Sequence, residues 1–338
     1  MRILFAFPQS AFLRDYEKAY LPMVCEELRQ HGASSDFVLE DNPGRADLII
    51  LLQSAQYKTA EYVHVLENDP LVRDHAERVF VIDYDDHPEG MLAGLYTSIE
   101  PPFFRPELHR SWPILFMNNP FVYNLGREQI SRVNPKRLFS FVGAPSHEVR
   151  KRLLNLFSTP SSEYHVELTT KWYNHNDGDR SRFIALTLDS LFCLCPRGYA
   201  AYTNRIPEVM AMGRVPVVIA DNWVPFSFLE VTPYYVRVAE KDIGRLPEIL
   251  SGLRTEAGQM GRCARHLWEK YCSPNRRVVA AVECITQLAR QTECQPTFAQ
   301  YKETWHSPTF RKKCGWTLRQ RIALRLQQHL RRLAVRTR

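Results

Sequence analysis

Residues 193–222 read CLCPRGYAAYTNRIPEVMAMGRVPVVIADN, and they hold the unit from which the chain is built. The apolar run 191–195 stops at Pro196, and Arg197 and Gly198 make a turn. A helical pattern begins near Thr203 and closes at Gly213, and a second apolar run follows at 215–219. A strand apolar on both faces belongs in a parallel sheet covered by helices on either side. Strand, turn, helix, strand is the element of a doubly wound α/β fold.

The alternation extends outward. Residues 2–8, 34–41, 46–54 and 78–86 read as strands, with helices at 16–32, closed by Gly32, and at 59–76, broken near Pro70. A second cycle opens at 136–145, a strand running into a glycine turn, followed by a helix over 146–158 with Ser146 as its N-cap. Residues 189–196, 202–213 and 215–221 are strand, helix and strand, and 245–253 and 260–273 are helices. The polar segment 171–180 reads as a loop, and the aromatic segment 112–121 as core packing or as a stacking surface. The expected domains are 1–130, 131–295 and a helical basic tail at 296–338, with a join near 120–137 between Pro120 and Pro135.

A chain of 338 residues with 45% hydrophobic content supports two domains and excludes wholesale disorder. No apolar run approaches the roughly 18 residues that cross a bilayer. The first apolar stretch stops at Pro8 and Gln9, so it reads as a strand rather than a signal peptide, and the expected place is the bacterial cytoplasm. The eight cysteines form no CxxC pair, which argues against a disulfide framework or a structural zinc site. Cys193 and Cys195 read as small buried side chains of a strand. The net charge of +7 is local: residues 311–338 hold ten of the 44 Lys and Arg and none of the 37 Asp and Glu, so 1–310 carry −3. Folded domains of that charge are not expected to bind nucleic acid. In the tail, Leu318, Ile322, Leu326, Leu330 and Leu333 form one stripe among arginines. That pattern suits an anionic membrane surface; a face packed on protein and an RNA-binding helix are the other readings.

The chemistry gathers where the strand 191–195 ends. In open α/β sheets ligands bind outside the carboxyl ends of the strands. Arg197, Arg205 and the start of the helix after Thr203 suit an anionic group such as a diphosphate, and Gly198 lets backbone approach it. Glu208 cannot bind phosphate, but it can accept two hydrogens from a ribose diol. The plain alternative is an i,i+3 surface pair between Arg205 and Glu208.

The stretch 191–226, LFCLCPRGYAAYTNRIPEVMAMGRVPVVIADNWVPF, resembles the signature of the exostosin family of glycosyltransferases. FSFVGAPSHEVRKRL at 139–153 resembles the strand–glycine–helix element of the same family. Ala220 and Val224 depart mildly from the pattern, which often has Ser and Leu there. The resemblance implies a GT-B architecture, two Rossmann-like doubly wound domains facing each other across a cleft. It implies inverting transfer from a nucleotide sugar, usually UDP-linked, to a glycan or glycolipid acceptor, with no obligatory metal. Carried over residue by residue, Arg197, Thr203 and Arg205 hold the diphosphate and Glu208 the ribose, with Gly143 and Arg150 on the phosphate side. Inverting transfer also needs a base. Asp83, Asp85 and Asp86, with His87 beside them, end the strand 78–86 and are the candidates; the alternative is a solvated acidic loop in which Asp86 caps a turn. Asp221 reads as a cap of the 222–226 loop rather than a sugar ligand. The expected role is a step in bacterial surface polysaccharide or lipopolysaccharide synthesis at the inner membrane face. A nucleotide-sugar epimerase, or a non-enzymatic protein acting through its basic tail, are the rival readings.

Overall fold

The computed structural model describes residues 1–313 except 10, 12, 33–35, 54–59, 117–118, 160, 170–176, 229–232 and 292–294. The expected tail helix over 317–338 and most of the expected loop 171–180 lie outside the described residues. The chain forms two units, Met1–Arg110 with Val282–Arg338, and Ser111–Ala281.

The first unit is a six-stranded sheet in the order β2-β1-β3-β4-β5-β6. Its strands are β1 (Arg2–Ala6), β2 (Val38–Leu39), β3 (Leu48–Gln53), β4 (Val79–Asp83), β5 (Gly94–Tyr96) and β6 (His109–Ser111), which closes at the border of the next unit. β1 through β5 pair in parallel. Helices α1 (Tyr20–His31), α2 (Ala60–Asn68) and α3 (Pro70–His75) connect them, with Asp69 capping α3 and making the expected break at Pro70. β3 and β4 are buried along their whole length, as a sheet covered on both faces requires. β5 and β6 have three residues each, too short to show a periodicity in sequence. Gly94 (φ +148°) brings β5 against β4, and a Cβ there would meet the Val81 carbonyl at 2.2 Å.

The second unit begins with two short helices, α4 (Pro120–Tyr123) and α5 (Arg127–Ser131). Its sheet runs β11-β10-β9-β7-β8, with every pairing parallel. The strands are β7 (Arg137–Gly143), β8 (Tyr164–Leu168), β9 (Ser190–Pro196), β10 (Val215–Ile219) and β11 (Val236–Arg237). The helices are α6 (Glu148–Phe157), α7 (Asp177–Leu188), α8 (Arg205–Ala211), α9 (Leu246–Gly252), α10 (Ala257–Tyr271) and α11 (Arg277–Gln291), the last crossing back into the first unit. Phe139, Phe141, Phe192, Leu194, Val217 and Ile219 from the strands pack with Val149 and Leu153 of α6. Cys193 and Cys195 are buried in β9, and burial pushes the Cys193 thiol up to about 11.

Two final helices, α12 (Phe298–His306) and α13 (Pro308–Lys313), belong to the first unit. The observed crossings, after Arg110 and Ala281, differ from the borders read at prolines and loops, because pairing and packing set them. Ser111 is tied to Ser227 and Val224, and Tyr301 and Trp305 are tied to Ala93 and Met91. No helix among the described residues is long and apolar enough to cross a membrane.

Candidate functional site

In the second unit the sheet winds outward in both directions from the pair β7 and β9. A crevice opens outside the carboxyl ends of the strands at such a reversal, and α/β sheets hold ligands there. Gly143 ends β7, Arg197 and Gly198 follow β9, and Arg205 opens α8, so all four stand at this place.

Arg205 and Arg150, both expected near the phosphate, are used differently. Arg205 lies over two phenyl rings, Phe141 at 5.1 Å and Phe183 at 4.8 Å from the ring centres. Among the described residues it makes no hydrogen bond or ion pair. Its N–H fork is therefore oriented by the rings yet unspent. Gly143 makes room for it: a Cβ at 143 would stand 3.3 Å from Arg205 Nη2 and 3.1 Å from Phe141 Cζ. Arg150 is committed to backbone. It donates to the carbonyls of Arg197 (3.0 Å), Ala144 (3.1 Å) and Pro196 (3.0 Å), and so staples the turn after β7 to the turn after β9. Burial, and then the charge of Arg205, lower its pKa to about 10. Arg150 braces the site through these three bonds.

Arg197 is anchored at both ends. Its backbone N–H donates to the Ile219 carbonyl (3.0 Å), and Nη2 donates to the Tyr199 carbonyl (3.1 Å). Nη1 stands 3.8 Å from Glu240 Oε1. A Cβ at Gly198 would meet Ser146 Oγ at 3.4 Å and Arg150 Nη2 at 3.5 Å, ordinary contact distances. Thr203 accepts the Ile206 N–H at its carbonyl (3.1 Å), and α8 starts at Arg205, two residues after the expected start. With seven residues, α8 supplies a short dipole, so the guanidinium groups carry most of the positive field.

Glu208 accepts a hydrogen bond from Asn119 Nδ2 (2.7 Å), and among the described residues no ion pair joins it to Arg205. The surface-pair reading is therefore not what the geometry shows. Asp221 is a cap, but of another element: it accepts the Glu240 N–H (2.9 Å) at the start of the 3₁₀ turn Glu240–Arg245, rather than capping the 222–226 loop. His147, not Ser146, caps α6, its Nδ1 accepting the Val149 N–H at 3.3 Å.

The acidic candidates belong to the first unit. That sheet winds outward from β1 and β3, so Asp83, ending β4, stands one strand away from the reversal. Asp83 is buried and accepts the Asp85 N–H (2.9 Å), which holds the turn. Asp85 is buried and its Oδ1 pairs with His87 Nδ1 at 3.0 Å. Dense surroundings, and then the Asp85 carboxylate, raise the Asp86 pKa, although its side chain still reaches solvent. Among the described residues no three His, Cys, Asp or Glu side chains are placed to hold a metal ion.

Sequence reasoning missed Phe141, Phe183, Asn119 and Glu240. The two rings look like any core aromatics, and Asn119 and Glu240 lie far along the chain from their partners. The only available signal was that Phe141 stands two residues before the glycine that ends its strand.

The Exostosin GT47 domain model matches residues 85–253, half of the chain, and includes Asp85 and Asp86 but not Asp83. A probable glycosyltransferase of Arabidopsis thaliana is 31% identical over 158 residues, 46% of this chain and 32% of that protein. An Exostosin-1 homolog of Caenorhabditis elegans is 35% identical over 101 residues, 29% of this chain and 26% of that protein. The matches thus span about a third or less of these relatives' length. Among solved structures, an α1,3-fucosyltransferase is similar with a TM-score of 0.40 and 11% identity, over 86% of this chain and 90% of that one.

Proposed function

Because the chain belongs to the exostosin GT47 family, we propose that it is an inverting glycosyltransferase that moves a sugar from a UDP-linked donor to a glycan or glycolipid acceptor without an obligatory metal. The observation that carries this reading is Arg205, a guanidinium gripped by two rings at the sheet's reversal with its N–H fork unspent. A departing diphosphate needs preorganised positive donors, and Arg205 and Arg197 supply them in a braced turn. Glu208, steadied by Asn119, is the ribose ligand of the proposal. Asp85, Asp86 and Asp83 remain the proposed source of the base, with Asp83 the most committed to holding its turn. The proposed setting is the cytoplasmic membrane face of a bacterium assembling surface polysaccharide or lipopolysaccharide. This part rests on the arginine-rich stripe of 317–338 and on sequence alone.

The test is calorimetric titration of the full chain with UDP, GDP and CMP in the presence of EDTA. UDP binding that survives EDTA and falls by about 100-fold in Arg205→Ala supports the donor site, as lost charge-assisted hydrogen bonds of this kind are worth about 1.5–3 kcal/mol each. Binding of none of the three by folded protein overturns it.

A further inference from the structure

His147 stands beside the site, and none of the expected ligands accounts for it. Its Nδ1 accepts the Val149 N–H, and a ring nitrogen that accepts carries no proton, so the ring proton is on Nε2. The cap thus selects a tautomer whose donor lies on the ring edge away from α6.

The loop that carries His147 is fixed against the arginine turn. Arg150 links the Ala144 carbonyl to those of Pro196 and Arg197, and a Cβ at Gly198 would stand 3.4 Å from Ser146 Oγ. The charged groups around the ring come from three elements: Arg197 after β9, Glu240 from the 3₁₀ turn, and Arg150 and Glu148 from α6. Burial and then Arg197 hold the ring's pKa below its ordinary value, against the opposing pull of Glu240 and Glu148. The ring is neutral at pH 7, so it places an N–H donor next to a guanidinium without adding a like charge.

We propose that His147 is a further ligand of the diphosphate, donating its Nε2–H to a phosphate oxygen held by Arg197. This rests on the nucleotide reading of the same site. Arg205 grips from α8, Arg197 from β9 and His147 from the loop after β7, so the anion would be held from both strands of the reversal.

Serine caps a helix but is too short to reach the anion, and that separates the two roles. The experiment is calorimetric titration of the full chain with UDP and with pyrophosphate, for wild type, His147→Ser and Arg205→Ala, with thermal unfolding of each. The expected result is a Tm for His147→Ser close to wild type, with affinity for both probes about tenfold weaker, the worth of one hydrogen bond to a charged group. His147→Ala loses the cap as well and melts earlier. If Arg205→Ala loses binding while His147→Ser binds both probes as wild type does, His147 is a cap only and this proposal falls. If folded wild type binds neither probe, the nucleotide reading itself falls, and the proposal with it.

Discussion

Two arginines of one type and one neighbourhood do opposite work, and the difference lies in what their nitrogens touch. Arg150 spends its fork on three backbone carbonyls, whereas Arg205 is held by rings alone. Substitution should therefore separate stability from binding. Arg150→Met leaves three half-buried carbonyls without their donor and is expected to cost about 2–4 kcal/mol of stability. Arg205→Lys keeps the charge and can still lie over the rings, but it offers a point charge in place of a planar fork. Its Tm should stay near that of wild type while UDP affinity falls about tenfold. Thermal unfolding and titration of the two variants check this. A fall in affinity without loss of Tm in Arg150→Met would show that its guanidinium meets the ligand directly.

Elements position these residues, and the sequence showed the elements more clearly than their ties. β7, β9, β10 and α8 were legible because a parallel sheet demands continuous apolar runs and because Gly143, Gly198 and Gly213 punctuate them. Arg197 and Arg205 could be placed near the reversal from sequence because one directly follows β9 and the other opens the helix after it. The ring cage and the Asn119–Glu208 bond were not, since aromatic side chains serve cores everywhere and the latter joins residues 89 positions apart. A further tie of this kind binds α5 to α10. Glu269 accepts from Arg127 Nε and Arg265 Nε, both at 2.8 Å. The bond from Arg127 contributes most to lowering the Glu269 pKa from 4.5 to about 2, with Arg265 adding to it. A carboxylate lowered on folding stabilises fully above its unfolded pKa, and that stability is lost as pH falls toward the folded value. Arg127 is 71% exposed, so solvent screening leaves about 1 kcal/mol. The expected outcome is that wild type and Glu269→Gln differ by that amount at pH 6 and converge as pH falls from about 4.5 to about 2. Denaturant unfolding across that range measures it, and a gap that persists at pH 2 would point to packing rather than charge.

At the scale of the molecule, the first unit is discontinuous: its strands lie within residues 2–111, and the chain returns to that unit after a whole second one. The return is anchored by two aromatic side chains of α12. Trp305 is fully buried and donates from Nε1 to the Met91 carbonyl (2.8 Å). Tyr301 stacks on it with ring centres 5.7 Å apart, and its hydroxyl accepts the Ala93 N–H (3.0 Å). Both bonds satisfy backbone at the entrance to β5, a three-residue strand with little pairing of its own to hold it. His306 adds a bond to Glu67 of α2. The segment 298–306 is thus part of the first unit's core and not an appendage of the basic tail. Trp305→Phe keeps most of the packing and strands one buried carbonyl, at an expected cost of about 1–3 kcal/mol. Trp305→Ala adds a cavity and should cost about 3–5 kcal/mol. The donor site of the proposal is built entirely from Ser111–Ala281, so UDP affinity of the folded variants at 25 °C should match wild type while the melting transition moves down. Calorimetric scanning with and without UDP reads both at once. If Trp305→Ala also abolished UDP binding in protein shown to be folded, the donor site would depend on the first unit, and its assignment to the second unit alone would have to be given up.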